Sequence, residues 1–300
     1  MNINLKELSA PSSPKEDTFN QWKIDLTRKP KTYVPLIRIN GEVLFSRCSI
    51  SAISGKAKSR KSTLMILLGA KYLTTSEAGK VLVIDTEMAE YYVHRNLVRL
   101  HKLVGWPENE NNERMTMLQF REMSTDKRFE MFTRAIETFK PDLVFIDGVR
   151  DLIVNFNDID ATVTLIDEIM RLSNVYQCHI CSIIHENKND NTLRGHLGTE
   201  LQNKSETVIA VRQTEGSMSI AMPAMTRNFP FDKFEFGFNS EGLPYFRDYA
   251  IAEHPNLNQS VAVSVTDHTI SKREREEEET KTEETNLFAN INGEQQQLPF

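Results

Sequence analysis

Between residues 51 and 63 the chain reads Ser51-Ala52-Ile53-Ser54-Gly55-Lys56-Ala57-Lys58-Ser59-Arg60-Lys61-Ser62-Thr63. The residues before Gly55 predict a strand, Gly55 opens a loop, and Lys61 begins a helix. This order of strand, loop and helix is typical of a phosphate-binding loop with the pattern G-x-x-x-x-G-K-[ST]. Gly55, Lys61 and Ser62 match that pattern, whereas Arg60 stands where it has its second glycine.

The loop's residue types suit a nucleotide triphosphate. Backbone N–H groups of such a loop converge on phosphate, and the helix N-terminus adds positive potential. The Lys61 ammonium would bind the β- and γ-phosphates, and the Ser62 hydroxyl would bind Mg²⁺. Arg60 fits only if its Cβ points away from the phosphates, and its charge is expected to hold them tightly. The candidate nucleotide-binding residues are Gly55, Lys56, Ala57, Lys58, Ser59, Arg60, Lys61, Ser62 and Thr63. The alternative is a lysine-rich turn before a core helix.

Hydrophobic patterning predicts alternating strands and helices around this loop. Continuous apolar runs such as Lys80–Asp85 and Pro141–Asp147 are typical of a sheet buried on both faces. The alternation predicts an α/β fold with three layers and a mainly parallel sheet, followed by antiparallel C-terminal strands. The other predicted strands are Val34–Ile39, Val43–Phe45, Cys48–Ile53, Met115–Phe120, His179–Ile184, Glu206–Val211, Met218–Met222, Phe234–Phe238 and Tyr245–Phe246. The predicted helices are Lys61–Leu73, Glu90–Leu103, Lys127–Phe139 and Ala161–Val175, and Asp151–Asp158 and Asn189–Gly198 are predicted loops.

Composition divides the chain into three predicted segments. Residues 1–33 form a polar N-terminal extension, residues 34–266 the α/β domain, and residues 267–300 a disordered acidic tail. Residues 271–300 carry a net charge of −4 out of −6 for the whole chain. The chain has no general excess of basic residues, so any contact with nucleic acid must be local.

Cysteine usage and hydropathy bound the compartment. The three cysteines give no disulfide framework and suit a reducing compartment. Cys178 and Cys181 have C-x-x-C spacing but lie in a predicted buried strand, which favours a structural role over metal or redox chemistry. No apolar run has the length of a signal peptide or of a membrane span, so we expect a cytoplasmic protein without membrane contact.

Polar residues follow the predicted strands at the edge where ligands of open α/β sheets bind. Asp147 ends an hhhhD strand, which is the Walker B pattern, and is a candidate Mg²⁺ ligand; the alternative is an ordinary strand-end Asp. Glu87 is the candidate base that activates water, with Asp85 as its rival, although Glu87 could merely complement a helix dipole. His185 is a candidate sensor of the γ-phosphate or a structural histidine. Lys188 and Arg194 follow in a loop that could contact DNA phosphates or a neighbouring subunit's nucleotide, or could simply be solvated.

The order of these motifs resembles the RecA-like P-loop ATPase core over about residues 35–250. Within it, the chain is similar to RepA-type and DnaB-type hexameric helicase ATPases, and its loop resembles that of AAA family ATPases on mobile elements of Bacteroides-type bacteria. The resemblance implies that Glu87, Lys61, His185 and Arg227 serve catalysis. Arg227 would act as a finger on the ATP of the next subunit, although Met225 replaces the lysine of the family's K-x-R pattern.

The resemblance also implies partners and cofactors. These are ATP, Mg²⁺, a ring-shaped homo-oligomer with ATP at its interfaces, and single-stranded DNA held by Asp151–Asp158 and Asn187–Gly198. The segment Leu298-Pro299-Phe300 resembles the tip of bacterial single-stranded-DNA-binding proteins and would dock on a replication protein, unless it is an ordinary tail. The sequence therefore predicts an ATP-hydrolysing, helicase-like protein of plasmid or mobile-element DNA replication or mobilisation. The alternative is a nucleotide-dependent regulatory protein with slow turnover and no helicase activity.

Overall fold

A computed structural model describes residues 20, 22–27, 33–75, 79–187, 190–214 and 216–247. The chain separates into two compact units, Met1–Val34 and Pro35–Phe300. In the first unit, the Asp25 carboxylate accepts hydrogen bonds from the backbone and hydroxyl of Thr27. The helices and strands given below all belong to the second unit. The predicted acidic tail lies outside the described residues.

An antiparallel hairpin opens the second unit. Strand β1, Pro35–Ile39, pairs with β2, Glu42–Ser46, in a sheet of their own. Asn40 and Gly41 form the turn with φ angles of 50° and 87°. Both angles are positive, as a two-residue type I′ turn requires, and Asn-Gly is a residue pair that favours such a turn.

A nine-stranded sheet in the order β11-β10-β9-β8-β3-β7-β6-β4-β5 forms the body of the unit. Strands β3 to β8 pair in parallel, and β8 to β11 pair antiparallel. This confirms the predicted α/β fold with a mostly parallel sheet. The strands are β3 Ile50–Gly55, β4 Val81–Asp85, β5 Met115–Gln119, β6 Leu143–Asp147, β7 His179–His185, β8 Thr207–Gln213, β9 Met218–Thr226, β10 Phe234–Phe238 and β11 Pro244–Phe246.

Helices cover both faces of the sheet. The helices are α1 Lys61–Leu73, α2 Glu90–Val104, α3 Thr125–Phe139, α4 Ile159–Val175 and α5 Gly195–Lys204. On one face α1 packs closely on α2 and β6, since a Cβ at Gly69 would lie 3.5 Å from Leu100 and 3.7 Å from Phe145. On the other face, α3, α4 and α5 bury Phe132, Leu165 and other apolar residues in one core cluster. Burying both faces explains why β4 and β6 are apolar up to the aspartate that ends each strand.

The carboxyl ends of the central strands meet at one edge of the sheet. Gly55 at the end of β3 pairs with His185 of β7 and Val211 of β8. Asp85 at the end of β4 pairs with Asp147 of β6. This register gathers the polar strand ends along a single line. We call this line the carboxyl edge.

Two segments differ from the sequence prediction. Helix α5 begins inside Asn189–Gly198, which was predicted as a loop, and continues to Lys204. Its two glycines and polar residues argue against a helix, but Leu197 and Leu201 are buried one turn apart and hold it on the core. The predicted loop Asp151–Asp158 begins inside a 3₁₀ turn, Val149–Leu152.

Candidate functional site

The predicted phosphate-binding loop connects β3 directly to α1. A Cβ on Gly55 would lie 2.6 Å from both the Val211 carbonyl oxygen and Ser59 Oγ, so only glycine fits beside β8. Lys58 and Arg60 adopt left-handed backbone angles, with φ of 65° and 72°. This winding leaves Ser59 buried, with an Oγ that lacks a hydrogen-bond partner among the described residues. The loop's remaining side chains, those of Lys56, Ala57 and Lys58, are exposed.

Lys61 lies at the centre of this loop. Its Nζ is 3.1 Å from the Gly55 carbonyl oxygen, 3.0 Å from that of Lys56 and 3.2 Å from His185 Nδ1. Burial lowers the pKa of the Lys61 ammonium, and the nearby carboxylates of Asp147, Glu87 and Glu186 oppose this shift. The loop thus holds a buried cation in its own concavity, where a phosphate would meet it.

Ser62 and Asp147 join the first turn of α1 to the end of β6. The Ser62 hydroxyl donates a hydrogen bond to Asp147 Oδ2. Burial raises the pKa of Asp147 to about 7, helped by the negative charges of Asp85 and Glu87, while Ser62 and Lys61 oppose the shift. A hydroxyl and a carboxylate beside a phosphate loop are the oxygen donors that Mg²⁺ accepts alongside phosphates and water. With the close backbone approach at Gly55 and the unpartnered Ser59 Oγ, this donor set fits Mg-nucleotide.

Glu87 leaves β4 and reaches towards β7. Its Oε1 lies 3.6 Å from His185 Nε2, which is too long for a full hydrogen bond. The His185 side chain nonetheless lowers the pKa of Glu87, and the positive charges of Lys61 and Arg150 act in the same direction. Both side chains are about half exposed. A partly exposed, ionised carboxylate near Lys61 can accept a proton from water.

Asp85 orients Glu87 rather than competing with it. The Asp85 carboxylate accepts hydrogen bonds from the backbone N–H groups of Glu87, at 3.0 Å, and Met88, at 2.7 Å. Burial raises the pKa of Asp85, and these two bonds oppose that shift. By accepting from these two N–H groups, Asp85 fixes the turn that follows β4 and so orients Glu87.

Two further groups at the carboxyl edge were not predicted from sequence. Glu186 is buried and accepts hydrogen bonds from Ser54 Oγ at 2.9 Å and Arg212 Nη1 at 2.8 Å. Thr86 Oγ1 lies 3.1 Å from the carbonyl oxygens of Asp147 and Gly148 and so ties β4 to β6. Their sequence position was the one feature that could have indicated them, because Thr86 directly follows β4 and Glu186 directly follows β7.

The structure does not bring every predicted residue to this edge. Arg227 follows β9 beside the amino end of β8, where its backbone N–H donates to the Glu206 carbonyl and its guanidinium to that of Lys204. Arg194, by contrast, does lie at the edge: its backbone N–H donates to the His185 carbonyl at 3.1 Å, and its guanidinium stacks on the Phe156 ring, 5.3 Å from its centroid. Lys188 and Leu298-Pro299-Phe300 lie outside the described residues.

Arg60 also departs from its prediction. Its guanidinium donates to the carbonyl oxygens of Met218 and Gly216 and to Ser219 Oγ, at the start of β9. The expectation that its charge holds phosphates is therefore wrong for this conformation. Thr63 lies half-buried in the first turn of α1.

Cys178 and Cys181 are buried, as the sequence predicted for an apolar strand. Both thiols are buried, and burial raises the pKa of each to about 12. Within the described part of the chain, no group of three or more His, Cys, Asp or Glu side chains could hold a metal ion. A Mg²⁺ site built from one hydroxyl, one carboxylate and nucleotide phosphates needs no such group.

Comparison with known proteins bears on this geometry. A family model described as an AAA domain matches residues 22–191, which is more than half of the chain. The chain belongs to the AAA domain family. The AAA domain match spans the phosphate loop, β4, β6 and β7, and so includes Lys61, Glu87 and Asp147. AAA domains are nucleotide-binding ATPases. Among curated proteins, no relative matches the chain.

A helix that spans a bilayer needs about 20 predominantly apolar residues. Among the described residues of the AAA domain protein, no helix is both long enough and apolar enough to span a membrane.

Proposed function

We propose that this chain binds Mg-ATP at the carboxyl edge and hydrolyses it, and that it acts on DNA in replication or mobilisation of a plasmid or mobile element. The observation that carries the ATPase part is the convergence of three groups on one loop. Lys61 lies inside the loop, the Ser62–Asp147 pair closes its helix side, and Glu87 faces it across His185. These groups come from three strands and one helix and share no other evident task.

Each residue has a distinct part in this proposal. The loop's backbone N–H groups and the Lys61 ammonium bind the phosphates and neutralise their charge. Ser62 and Asp147 hold Mg²⁺, which neutralises developing charge on the phosphate oxygens when bound. Glu87 orients the attacking water and accepts its proton. His185 lies between Lys61 and Glu87, with Nδ1 3.2 Å from Lys61 Nζ and Nε2 3.6 Å from Glu87 Oε1. Its ring would therefore sense when Lys61 binds phosphate.

Steady-state hydrolysis and nucleotide binding test the ATPase part. We expect Lys61→Ala to abolish ATP binding, and Glu87→Gln to retain binding while lowering kcat by about 10²-fold or more. Lys102→Ala and Glu113→Gln, which change the same residue types on exposed surface away from the loop, are the matched controls. Intact ATP binding by Lys61→Ala would sink the proposed site.

The DNA part rests on the resemblance to RepA-type and DnaB-type ATPases and on the cations behind Glu87. Arg150 and Arg194 both stack on Phe156, at 4.3 Å and 5.3 Å from its centroid. They lie next to Glu87 and His185, around a small pocket with a volume of about 40 Å³. Phosphates of single-stranded DNA at this cluster would sit beside the groups that activate water. We expect DNA to stimulate ATP hydrolysis and Arg194→Ala to reduce that stimulation.

A regulatory role with slow turnover is the alternative function. Arg227 lies away from the phosphate loop of its own chain, so it cannot complete that site alone. ATP binding without stimulation by single-stranded DNA, and without strand separation on a forked duplex, would favour this alternative. Wild-type protein that hydrolyses ATP faster with DNA would exclude it.

The proposal includes a ring-shaped homo-oligomer and a partner for the C-terminal tail. Light scattering with and without a nonhydrolysable ATP analogue measures the first. Deletion of Leu298–Phe300, followed by binding assays with replication proteins, measures the second. Unchanged binding after the deletion would remove the tail from the proposal.

A further inference from the structure

The side chain of Arg60 leaves the phosphate loop and binds a different part of the sheet. Nη1 donates to the Met218 carbonyl at 2.6 Å and to Ser219 Oγ at 3.0 Å, and Nη2 donates to the Gly216 carbonyl at 3.3 Å. All three acceptors belong to β9 or to the turn before it, which we call the β8–β9 turn. The guanidinium fork is therefore engaged by backbone and a buried hydroxyl.

Ser219 completes the link in the opposite direction. It is fully buried, and its hydroxyl donates to the Ser59 carbonyl at 3.2 Å while accepting from Arg60 Nη1. One hydroxyl supplies one donor and can still accept, so both bonds form together. The peptide that joins Ser59 to Arg60 is thus held to β9 from both sides. We call this pair of contacts the Arg60–Ser219 anchor.

The backbone of Arg60 needs such support. Its φ of 72° lies in the left-handed region, which residues with a Cβ disfavour and glycine adopts freely. Arg60 is also the residue before α1, and its side chain makes no capping bond to that helix. The three bonds to β9 and to the turn before it therefore hold a conformation that glycine would adopt without help.

We propose that Arg60 is a positioning residue, which anchors the last peptide of the phosphate loop to the β8–β9 turn and thereby sets nucleotide affinity without touching phosphate. A loop held in its binding conformation loses less entropy when the ligand arrives. The inference rests on the proposed nucleotide site. The inference goes beyond that site because it names a residue, Arg60, that acts on nucleotide through the loop backbone.

A double-mutant cycle tests the anchor. We expect Arg60→Ala and Ser219→Ala each to weaken binding of ATP and ADP by about tenfold, and the double variant to be no weaker than Arg60→Ala. The affinities for ATP and for ADP should fall by the same factor, because the loop amides hold phosphates that both nucleotides carry. A larger loss for ATP than for ADP, or additive losses in the double variant, would overturn the anchor.

Substitution by lysine separates geometry from charge. Arg60→Lys keeps the positive charge but lacks the planar fork that reaches three acceptors. We expect it to bind nucleotide as weakly as Arg60→Ala, and wild-type affinity would contradict the proposal. Arg247→Ala removes an arginine that pairs with Glu235 in the same antiparallel part of the sheet, and it should leave nucleotide affinity unchanged.

Hydrogen exchange of the nucleotide-free protein distinguishes failure of the anchor from failure of the ATP site. Arg60→Ala and Ser219→Ala should speed exchange of amides in residues 55–62 by about tenfold relative to Arg247→Ala. Ser219→Ala, which leaves the backbone of residue 60 unchanged, carries the test alone should Arg60→Ala fail to fold. Unchanged exchange would sink the anchor, whereas absence of ATP binding by wild-type protein would sink only the proposed function.

Discussion

At the scale of single residues, Gly148 lets the ends of β4 and β6 approach closely enough to aim Glu87. Its φ is 96°, and a Cβ there would lie 2.1 Å from Thr86 Oγ1 and 3.0 Å from Glu87 Cγ. Thr86 in turn bonds to the Asp147 and Gly148 carbonyls across this gap. Glycine is therefore required here both by backbone angle and by space.

Gly148→Ala should lower the free energy of unfolding by about 2–4 kcal/mol, since left-handed strain and steric overlap add. It should also lower kcat, because Glu87 must move. Gly41→Ala is the matched control: its φ of 87° is similar, but no atom lies within 4 Å of the added Cβ. Urea unfolding measures the free energy of unfolding of both variants. An equal decrease in the two would show that the neighbouring atoms move away from the added Cβ at Gly148 without cost, and would contradict the prediction.

His179 makes stability depend on pH. It is fully buried, stacks on Phe45, and bonds to the Ser46 carbonyl through Nδ1 and to the Ser51 hydroxyl through Nε2. Burial lowers its pKa from 6.5 to about 4, so the folded state holds it neutral. The unfolded chain binds a proton first, so this contribution is complete above pH 6.5 and is lost as pH falls towards 4.

Wild-type protein should therefore lose roughly 3 kcal/mol of unfolding free energy through this residue across that range. His179→Gln should be less stable at pH 7.5 but should show a shallower decline on acidification. His94→Gln, an exposed histidine on α2, is the control and should keep the wild-type pH dependence. Denaturant unfolding at a series of pH values measures this, and parallel curves for His179→Gln and wild type would contradict it.

At the scale of secondary-structure elements, Glu186 ties together the three strands that flank the phosphate loop. It follows β7, bonds to Ser54 of β3, and pairs with Arg212 of β8. Its side chain is 1% exposed, whereas that of Arg212 is 28% exposed. The pair is therefore asymmetric: loss of Glu186 leaves a cation that can turn partly to water.

Glu186→Ala should lower the free energy of unfolding by about 2–4 kcal/mol, because it removes one partner of a mostly buried ion pair. Adding Arg212→Met should recover part of that loss, since an apolar side chain of similar length tolerates burial beside β7. Urea unfolding of the single and double variants measures the difference. A double variant less stable than Glu186→Ala would show that Arg212 is held by other groups.

The elements also show how far the sequence alone could reach. The carboxyl ends of parallel strands meet at one edge of a sheet. The sequence pattern alone therefore predicted that Asp147 and Glu87, which end or follow such strands, lie close together. The sequence does not reveal the order of the strands in the sheet, where β6 and β7 lie between β4 and β3. Arg60 was misjudged because its acceptors lie on β9, more than 150 residues further along the chain. Side-chain direction depends on such distant contacts, which local patterns do not encode.

At the scale of the whole molecule, the sheet separates two kinds of residue. Lys61, Asp147 and Glu87 gather at the carboxyl edge, whereas Arg227 lies at the opposite, amino edge. Thr226 pairs with Thr207 at the start of β8, while Val211 further along β8 pairs with Gly55. Arg227 therefore cannot contact nucleotide in its own chain. If it serves catalysis, it must reach the site of another copy, and ring-forming, head-to-tail contacts provide that geometry.

Mixing two inactive variants tests this arrangement directly. Glu87→Gln should remove water activation but keep Arg227, and Arg227→Ala should lose about 10³-fold or more in kcat while keeping Glu87. In randomly mixed oligomers about a quarter of interfaces combine an intact Glu87 with an intact neighbouring Arg227. ATP hydrolysis should then return to about a quarter of the wild-type rate, measured after subunit exchange is confirmed by labelled copies. Arg227→Ala protein with full activity, or exchanged mixtures that stay inactive, would exclude action between subunits, because only a contact across an interface lets one variant repair the other.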